Sequence, residues 1–198
     1  MENFRRNRLR GAPRRRLPSP PAQGINLGRL YLRPDELWGA GQSFYAGLRV
    51  GEIAALTVRD VVDGQGQVRD QILLKANITK SGEDRTMFVG DKLSRELARY
   101  LASSSHDAEA AGAPLLPTQK GAAFTPNTLC QLFTRIYRLA GVDGASSHSG
   151  RRWFITRLAH SGVSPKVIMT LAGHKNLTTT QRYIEVNHEM MKAAVRLL

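Results

Sequence analysis

The chain has 198 residues and a formal net charge of +13 at pH 7, from 29 Lys and Arg against 16 Asp and Glu. This length suffices for one domain with extensions and a buried core. The sign of the charge favours polyanions such as nucleic acid or an anionic membrane surface. No apolar run approaches the ~18 residues that a transmembrane helix needs, so we expect no membrane span. Cys130 is the only cysteine, which excludes a disulfide framework and a thiolate metal cluster and favours a cytoplasmic setting.

Residues 1–34 form a segment with its own electrostatic character. They hold nine arginines and one glutamate, a net charge of +8 that leaves +5 for the remaining residues. Arginine blocks followed by Pro, Ser and Gly give little to bury, so we expect an arm that is disordered when free. Seven of its arginines are candidate contacts to DNA phosphates: Arg5, Arg6, Arg8, Arg10, Arg14, Arg15 and Arg16. Such an arm would give affinity without reading sequence. The alternative is a translated upstream stretch with no selected role.

Residues 35–198 carry the patterns of an ordered domain. An apolar stripe predicts a helix over residues 43–56. Its members are Phe44, Leu48, Ile53 and Leu56. Two strand-like runs, 71–78 and 85–89, are separated by a Ser-Gly-Glu-Asp turn and predict a β-hairpin with Lys80 at its mouth.

After the hairpin the pattern is helical. The predicted helices span 91–102, 125–141, 147–162 and 164–173, and Thr178 and Asn187 are candidate caps of two further segments, the last of them 189–198. Thr125-Pro126 and Ser164-Pro165 are typical helix starts, in which a capping residue precedes a proline. The sequence therefore predicts a mainly α-helical domain with a small β-hairpin insert, of the α+β class.

Six side chains suit an attack on a phosphodiester by a protein hydroxyl. They are Arg49, Lys80, His148, Arg151, His174 and Tyr183. The reaction needs a positioned nucleophile, cations around the phosphoryl oxygens and an acid for the departing alkoxide. Arginine binds two oxygens at once, and histidine and lysine exchange protons. Each residue alone also has a structural explanation, such as an ion pair with Glu52 for Arg49 or half-buried packing for Tyr183.

The order and spacing of these residues is more informative than any one of them. The motifs are Gly47-Leu48-Arg49-Val50-Gly51-Glu52, Lys80, His148-Ser149-Gly150-Arg151-Arg152, Gly173-His174 and Arg182-Tyr183. This arrangement resembles the catalytic domain of the tyrosine recombinase (phage integrase) family, in order from about residue 43 to 186. The resemblance implies that family's fold and the breaking and rejoining of double-stranded DNA without a metal or another cofactor.

The resemblance also implies how the phosphate is held. Arg49 and Arg151 would clamp the scissile phosphate, and His174 would be a further hydrogen-bond donor to it. His148 would handle protons nearby. Arg152 stands where a second histidine is usual in the family, and it is a further candidate contact to DNA.

The remaining implied roles concern bond making and breaking. Tyr183 would attack the phosphate and form a 3′-phosphotyrosyl link, and Lys80 would protonate the leaving 5′ oxygen. A 5′ hydroxyl of a partner strand would then reseal the DNA. Family members work as a tetrameric synapse, so we expect self-association on DNA. An apolar stripe near the C-terminus either docks on a neighbouring protomer or packs in cis: Met190, Met191, Ala194, Val195 and Leu198.

Two departures from the family pattern concern the N-terminal part. The stretch before Gly41 leaves room for about one helix less than the family pattern has. Residues 1–34 cannot fold into the helical DNA-binding domain that usually precedes the catalytic domain. The sequence therefore predicts an N-terminally truncated catalytic domain over 35–198, preceded by the basic arm.

Several functions are compatible with these patterns. The leading interpretation is an enzyme of site-specific recombination or integration. The alternative is a truncated, non-catalytic DNA-binding relative that regulates or inhibits a full-length recombinase, which would then be a partner. A type IB topoisomerase shares the tyrosine chemistry, but the residues around Tyr183 favour the integrase side. A generic function as a basic RNA-binding protein would account for the arm, but it would not account for the six candidate catalytic residues in their order.

Overall fold

The computed structural model of the protein describes residue 43 and residues 45–103, 112–184 and 188–196. The expectations for the basic arm, for the stretch before residue 43, for Phe44 and for Asn187 as a cap concern residues outside these ranges. Within the described ranges the chain forms eight α-helices whose bounds are given below and one two-stranded sheet, and Ser43 and Tyr45 are helical as well. The predicted class, mainly α with a small β-hairpin, is confirmed.

The elements follow one another along the chain in a simple order. They are α1 (Val50–Ala55), α2 (Val58–Val61), β1 (Gln71–Leu74), β2 (Arg85–Phe88), α3 (Asp91–Ser103), α4 (Pro126–Leu139), α5 (Ser149–His160), α6 (Pro165–Ala172), α7 (Leu177–Gln181) and α8 (His188–Val195). The sequence patterns did not indicate α2, a single turn in which the carboxylate of Asp60 accepts from the Thr57 backbone N–H at 2.8 Å.

The first predicted helix is wrong in its middle. The chain is not helical from Ala46 to Arg49, and α1 begins only at Val50. Gly47 has a φ of +63°, in the left-handed region that interrupts a right-handed helix. The backbone N–H of Arg49 then donates to Glu52 Oε2 at 2.7 Å and starts α1. The predicted apolar positions in the described part are nevertheless fully buried, because the turn redirects the chain within the core: Leu48, Ile53 and Leu56.

The β-hairpin is shorter than predicted on its first strand. β1 and β2 pair antiparallel, with Ile72 opposite Met87 and Leu74 opposite Arg85. Beyond Leu74 the chain leaves the sheet, because the segment 75–84 folds around the buried Thr79. The Thr79 hydroxyl donates to the Glu83 carbonyl at 2.8 Å. This segment, which we call the lysine loop, carries Lys80.

Most of the later helices are confirmed, and three of their ends differ from the prediction. α5 begins at Ser149, with His148 rather than Ser147 as the residue before its first turn, because the Ser149 hydroxyl accepts from the Ser146 N–H at 2.9 Å and adds a preceding turn. α7 is capped by Asn176 rather than Thr178, since the Asn176 carbonyl accepts from the Thr179 N–H and closes the first turn. α8 ends at Val195 instead of running to 198.

Two apolar clusters position the candidate residues. The main core includes residues of α1 to α4 and the inward side of the hairpin. A smaller cluster joins α5 and α6 through Ile155, Ala159, Ile168 and Ala172, and Tyr183 packs against it. α6 packs against α5, α7 and β2, so that its C-terminal end lies between the two clusters. Among the described residues no helix is long and apolar enough to cross a membrane.

Candidate active site

One cleft brings together residues that are far apart in the sequence. It has a volume of about 380 Å³, and all six candidate catalytic residues contribute to its lining, as does Arg152. The lining residues are Arg49, Lys80, Ser81, His148, Arg151, Arg152, Gly173, His174, Lys175, Thr179 and Tyr183. The cleft therefore forms where the start of α1, the lysine loop, the start of α5 and the segment after α6 meet.

Both candidate clamp arginines are anchored to backbone carbonyls. Arg151 is only 7% exposed, and its two Nη atoms donate to the carbonyls of Gly47 and Ala172. Arg49 donates from Nη2 to the Gly173 carbonyl at 2.9 Å. Burial, and then the neighbouring Arg49, lower the pKa of Arg151 to about 9, which leaves the side chain charged at neutral pH. The two guanidinium groups are thus held in fixed directions before any ligand is bound.

A buried carboxylate lies behind Arg49. Glu52 is 1% exposed, and its Oε1 accepts from Arg49 Nη1 at 3.0 Å. Its Oε2 accepts from Arg85 Nη2 at 2.6 Å. Burial raises the pKa of Glu52, but the hydrogen bond from Arg85 and the two positive charges outweigh it, so the pKa lies below its ordinary value. The ion pair of Arg49 with Glu52, proposed as a structural explanation for Arg49, therefore exists inside the candidate site.

Arg85 is a residue that the sequence reasoning missed. It begins β2, and it occupies the same side of the strand as the buried Met87. Its Nη1 donates to the Leu171 carbonyl at 2.9 Å, so that it joins the hairpin to α6. The signal in the sequence was the alternation of the strand, which places a cation at an inward-facing position.

Both candidate histidines are held neutral at pH 7. Burial first, and then the charge of Arg152, lower the pKa of His148. Burial and the charges of Arg151 and Arg49 lower the pKa of His174 to about 4. The Nδ1 atom of His174 lies 2.8 Å from the hydroxyl of Thr180, a fully buried residue that the sequence reasoning also missed. This hydrogen bond fixes the imidazole and leaves Nε2 for a ligand.

Tyr183 is half-buried and lies against His174. The two rings are nearly parallel, with an interplanar angle of 21° and centroids 6.2 Å apart. The ring of Tyr183 also packs against the smaller apolar cluster. Tyr183 therefore both packs against this cluster and lines the cleft, so that the two explanations proposed for it are compatible.

Lys80 is exposed on the lysine loop at the edge of the cleft. The loop contacts the segment after α6 through Glu83, whose carboxylate lies 3.4 Å from Lys175 Nζ. Both side chains of that pair are more than half exposed, so the pair contributes little to stability. Lys80 can therefore move relative to Arg49 and Arg151 more easily than these two arginines can move relative to each other.

The depressed pKa of His174 predicts a pH-dependent stability. Unfolded His174 takes up its proton near pH 6.5 and folded His174 only near pH 4, so the unfolded state binds more protons between these values. The free energy of unfolding should therefore fall as the pH drops from about 6.5 to about 4. The His174→Gln variant lacks this titrating group, so the part of the decrease in unfolding free energy that His174 causes should be absent. The melting temperatures of both proteins at pH 7 and 4.5 test this; equal decreases would contradict it.

Within the described residues, no group of three or more His, Cys, Asp or Glu side chains could hold a metal ion.

Comparison with known sequences gives the family. The profile of the Phage integrase family matches residues 43–190. Tyrosine recombinase XerC of Pelobacter propionicus is 28% identical over 145 residues, which cover 73% of this chain and 45% of that protein. Tyrosine recombinase XerD of Shewanella oneidensis is 30% identical over 146 residues, 72% of this chain and 46% of that protein. The chain thus spans about half the length of the curated relatives it matches.

Solved structures of a recombinase and of an integrase share the fold of this chain. The crystal structure of XerA recombinase superposes with a TM-score of 0.64 at 23% identity, over 83% of this chain and 56% of that one. The Tn1549 transposon integrase in complex with a circular intermediate DNA gives a TM-score of 0.69 at 19% identity, over 87% and 61%. Since the family profile covers well over half of the sequence, this chain belongs to the phage integrase family, the tyrosine recombinases.

Proposed function

We propose that this protein breaks and rejoins DNA strands in site-specific recombination, with Tyr183 as the nucleophile. The observation that carries the proposal is the single cleft in which two anchored arginines, two neutral histidines, a lysine and this tyrosine meet. Members of the family are recombinases, and the Tn1549 integrase structure contains DNA. We extend both properties to this chain as part of the proposal.

The phosphate would bind between Arg49 and Arg151. A guanidinium group carries about five N–H donors, and the protein uses two of them on each of these side chains. Donors remain for two phosphoryl oxygens, and fixed donors of this kind stabilise the charge that develops during attack. In the tautomer whose Nδ1 accepts from Thr180, neutral His174 adds a hydrogen bond from Nε2–H to the phosphate.

The bond changes require three further side chains. The Tyr183 oxygen attacks phosphorus and loses its proton, for which neutral His148 is the acceptor in the cleft. The bond from phosphorus to the 5′ oxygen breaks, and Lys80 supplies the proton to that oxygen. A 5′ hydroxyl then attacks the phosphotyrosyl link in the reverse sequence. The energy of the phosphodiester is kept in the link, so the scheme needs no nucleotide cofactor.

Covalent capture tests this function. The purified protein and its Tyr183→Phe variant are incubated at low salt with nicked and intact duplexes from the DNA that surrounds the gene, and adducts that survive SDS are counted. We expect adducts from the unchanged protein and none from Tyr183→Phe. Tyr45→Phe is the matched control, because Tyr45 packs edge-on against Trp153 and does not line the cleft, and it should form adducts.

The opposite result would favour the other interpretation. A folded protein that shifts DNA in a gel but forms no adduct on either kind of duplex is a non-catalytic, DNA-binding relative. The seven N-terminal arginines lie outside the described residues. Their binding to DNA and the basic arm that carries them therefore stay predictions.

Self-association on DNA is a further part of the proposal. Two apolar side chains on α8, Met191 and Val195, are 48% and 68% exposed and lie one helical turn apart. This placement supports docking on a neighbouring protomer over packing in cis. Removal of residues 187–198 should reduce the number of protomers per DNA molecule, measured by sedimentation. An unchanged number would contradict docking of α8 on a neighbouring protomer.

A further inference from the structure

The C-terminal end of α6 is the meeting point of three arginines. The carbonyls of Leu171, Ala172 and Gly173 are consecutive, and each accepts a hydrogen bond from a different guanidinium group. The donors are Arg85, Arg151 and Arg49 in that order. Carbonyls at a helix C-terminus lack partners within the helix and carry partial negative charge, so they suit cations.

Arg85 differs from the other two arginines in its position. It and Glu52 are not among the residues that line the cleft, and the Arg85 side chain is 9% exposed. Its aliphatic part passes so close to Gly173 that a Cβ at that position would lie 2.7 Å from Arg85 Cδ. Arg85 therefore lies behind the cleft, and its effect on the reaction would pass through its neighbours.

The neighbour that matters is the carboxylate of Glu52. Arg85 contacts both oxygens, from Nη2 to Oε2 at 2.6 Å and from Nε to Oε1 at 3.4 Å. The side chain of Arg49 therefore reaches the carboxylate through Nη1 alone, and its Nη2 stays on the Gly173 carbonyl. Arginine prefers to bind a carboxylate with two parallel hydrogen bonds. Without Arg85, no other guanidinium would compete for Glu52, and the Arg49 guanidinium would turn toward the carboxylate and away from Gly173, while the Arg49 backbone N–H stays on Oε2.

We propose that Arg85 is a positioning residue of the phosphate clamp: it binds the Glu52 carboxylate and the end of α6, so that Arg49 keeps its direction into the cleft. Because Arg85 also begins β2, directly after the lysine loop, the same contacts fix the base of the loop that carries Lys80. The consequence for catalysis rests on the proposed function, whereas the consequence for the orientation of Arg49 does not.

The orientation of Arg49 is measured first. In ¹⁵N-arginine-labelled protein, a guanidinium anchored at both Nη atoms rotates slowly and gives separate Nη signals, which Arg49→Lys assigns. We expect separate signals for Arg49 in the unchanged protein and altered or merged signals in Arg85→Met. Arg99→Met is the matched control, since Arg99 forms an exposed ion pair with Glu96 on α3 and should leave the Arg49 signals unchanged.

The second measurement is the rate of covalent adduct formation on a nicked duplex. Arg85→Met should slow it about 10²-fold, a typical effect of misplacing a reacting group by about 1 Å. DNA affinity should change less than about threefold, because Arg85 does not reach the ligand. Arg85→Lys should recover part of the rate, since its ammonium can hold one oxygen of Glu52, and Arg99→Met should match the unchanged protein.

The outcomes separate the two proposals. Absence of adducts from the unchanged protein overturns the proposed function, while the Arg49 signals still decide the role of Arg85. A folded Arg85→Met protein whose Arg49 signals match the unchanged protein overturns the positioning role. Equal losses of affinity and rate also overturn it, because they indicate a general structural effect. If Arg85→Met does not fold, Arg85→Gln is measured in its place, and unchanged signals there overturn the proposal.

Discussion

Replacement of Arg151 by lysine should slow covalent adduct formation by about 10³-fold, although the charge is kept. Removal of one fixed donor to a developing oxyanion typically costs about 10²–10³ in rate. Arg151 is fixed because its two Nη atoms hold the carbonyls of Gly47 and Ala172 at once. A lysine ammonium is a single point charge and cannot reproduce this planar geometry. The rate is measured on a nicked duplex at saturating protein.

Arg157→Lys provides the control for this experiment. Arg157 lies on the same helix, α5, and is exposed, so the same exchange there should leave the rate unchanged. The Arg151→Lys protein must first be shown to be folded, because loss of a hydrogen bond from a charged group costs about 1.5–3 kcal/mol. A folded Arg151→Lys protein with an undiminished rate would show that the clamp does not depend on this residue.

The Gly47→Ala substitution should lower the free energy of unfolding by about 2–5 kcal/mol. The left-handed conformation costs an L-residue about 1–2 kcal/mol, and overpacking adds about 1–3 kcal/mol. The overpacking arises because a Cβ at Gly47 would lie 2.4 Å from Cδ1 of Phe154. The chain could relieve this overlap only by moving Phe154 or the Gly47 carbonyl that holds Arg151. Urea denaturation followed by circular dichroism measures the effect.

Gly51→Ala is the matched control, four residues further along. Gly51 lies within α1, and a Cβ there would meet Pro126 Cγ at 3.9 Å, an ordinary contact distance. Alanine is favoured over glycine inside a helix by about 0.5–1 kcal/mol, so this variant should be slightly more stable. Equal stability of the two variants would contradict the role assigned to the turn at Gly47.

Burial and the positive charges of the cleft together explain why both of its histidines are neutral. Burial lowers the pKa of each imidazole, and the arginines nearby lower it further. Behind the cleft Glu52 offers a negative charge, and two arginines already bind it. The cleft is therefore electrostatically complementary to an anion, which agrees with a phosphodiester as its ligand.

The sequence by itself determined the class of fold and the candidate residues. Proline after a capping residue marked the starts of α4 and α6, and glycine marked the end of α6, because these residues act through local backbone geometry. The six candidate catalytic residues could be named because their order and their neighbouring residues match a family pattern.

Only the tertiary structure decided how these residues are held. The left-handed turn at Gly47, the buried Glu52 and the inward Arg85 depend on contacts between segments that are distant in the sequence. Thr180 could be linked to His174 only once α7 was placed against α6. Periodicity and capping report interactions over a few residues, whereas the directions of the arginines are set by carbonyls and a carboxylate contributed by other elements.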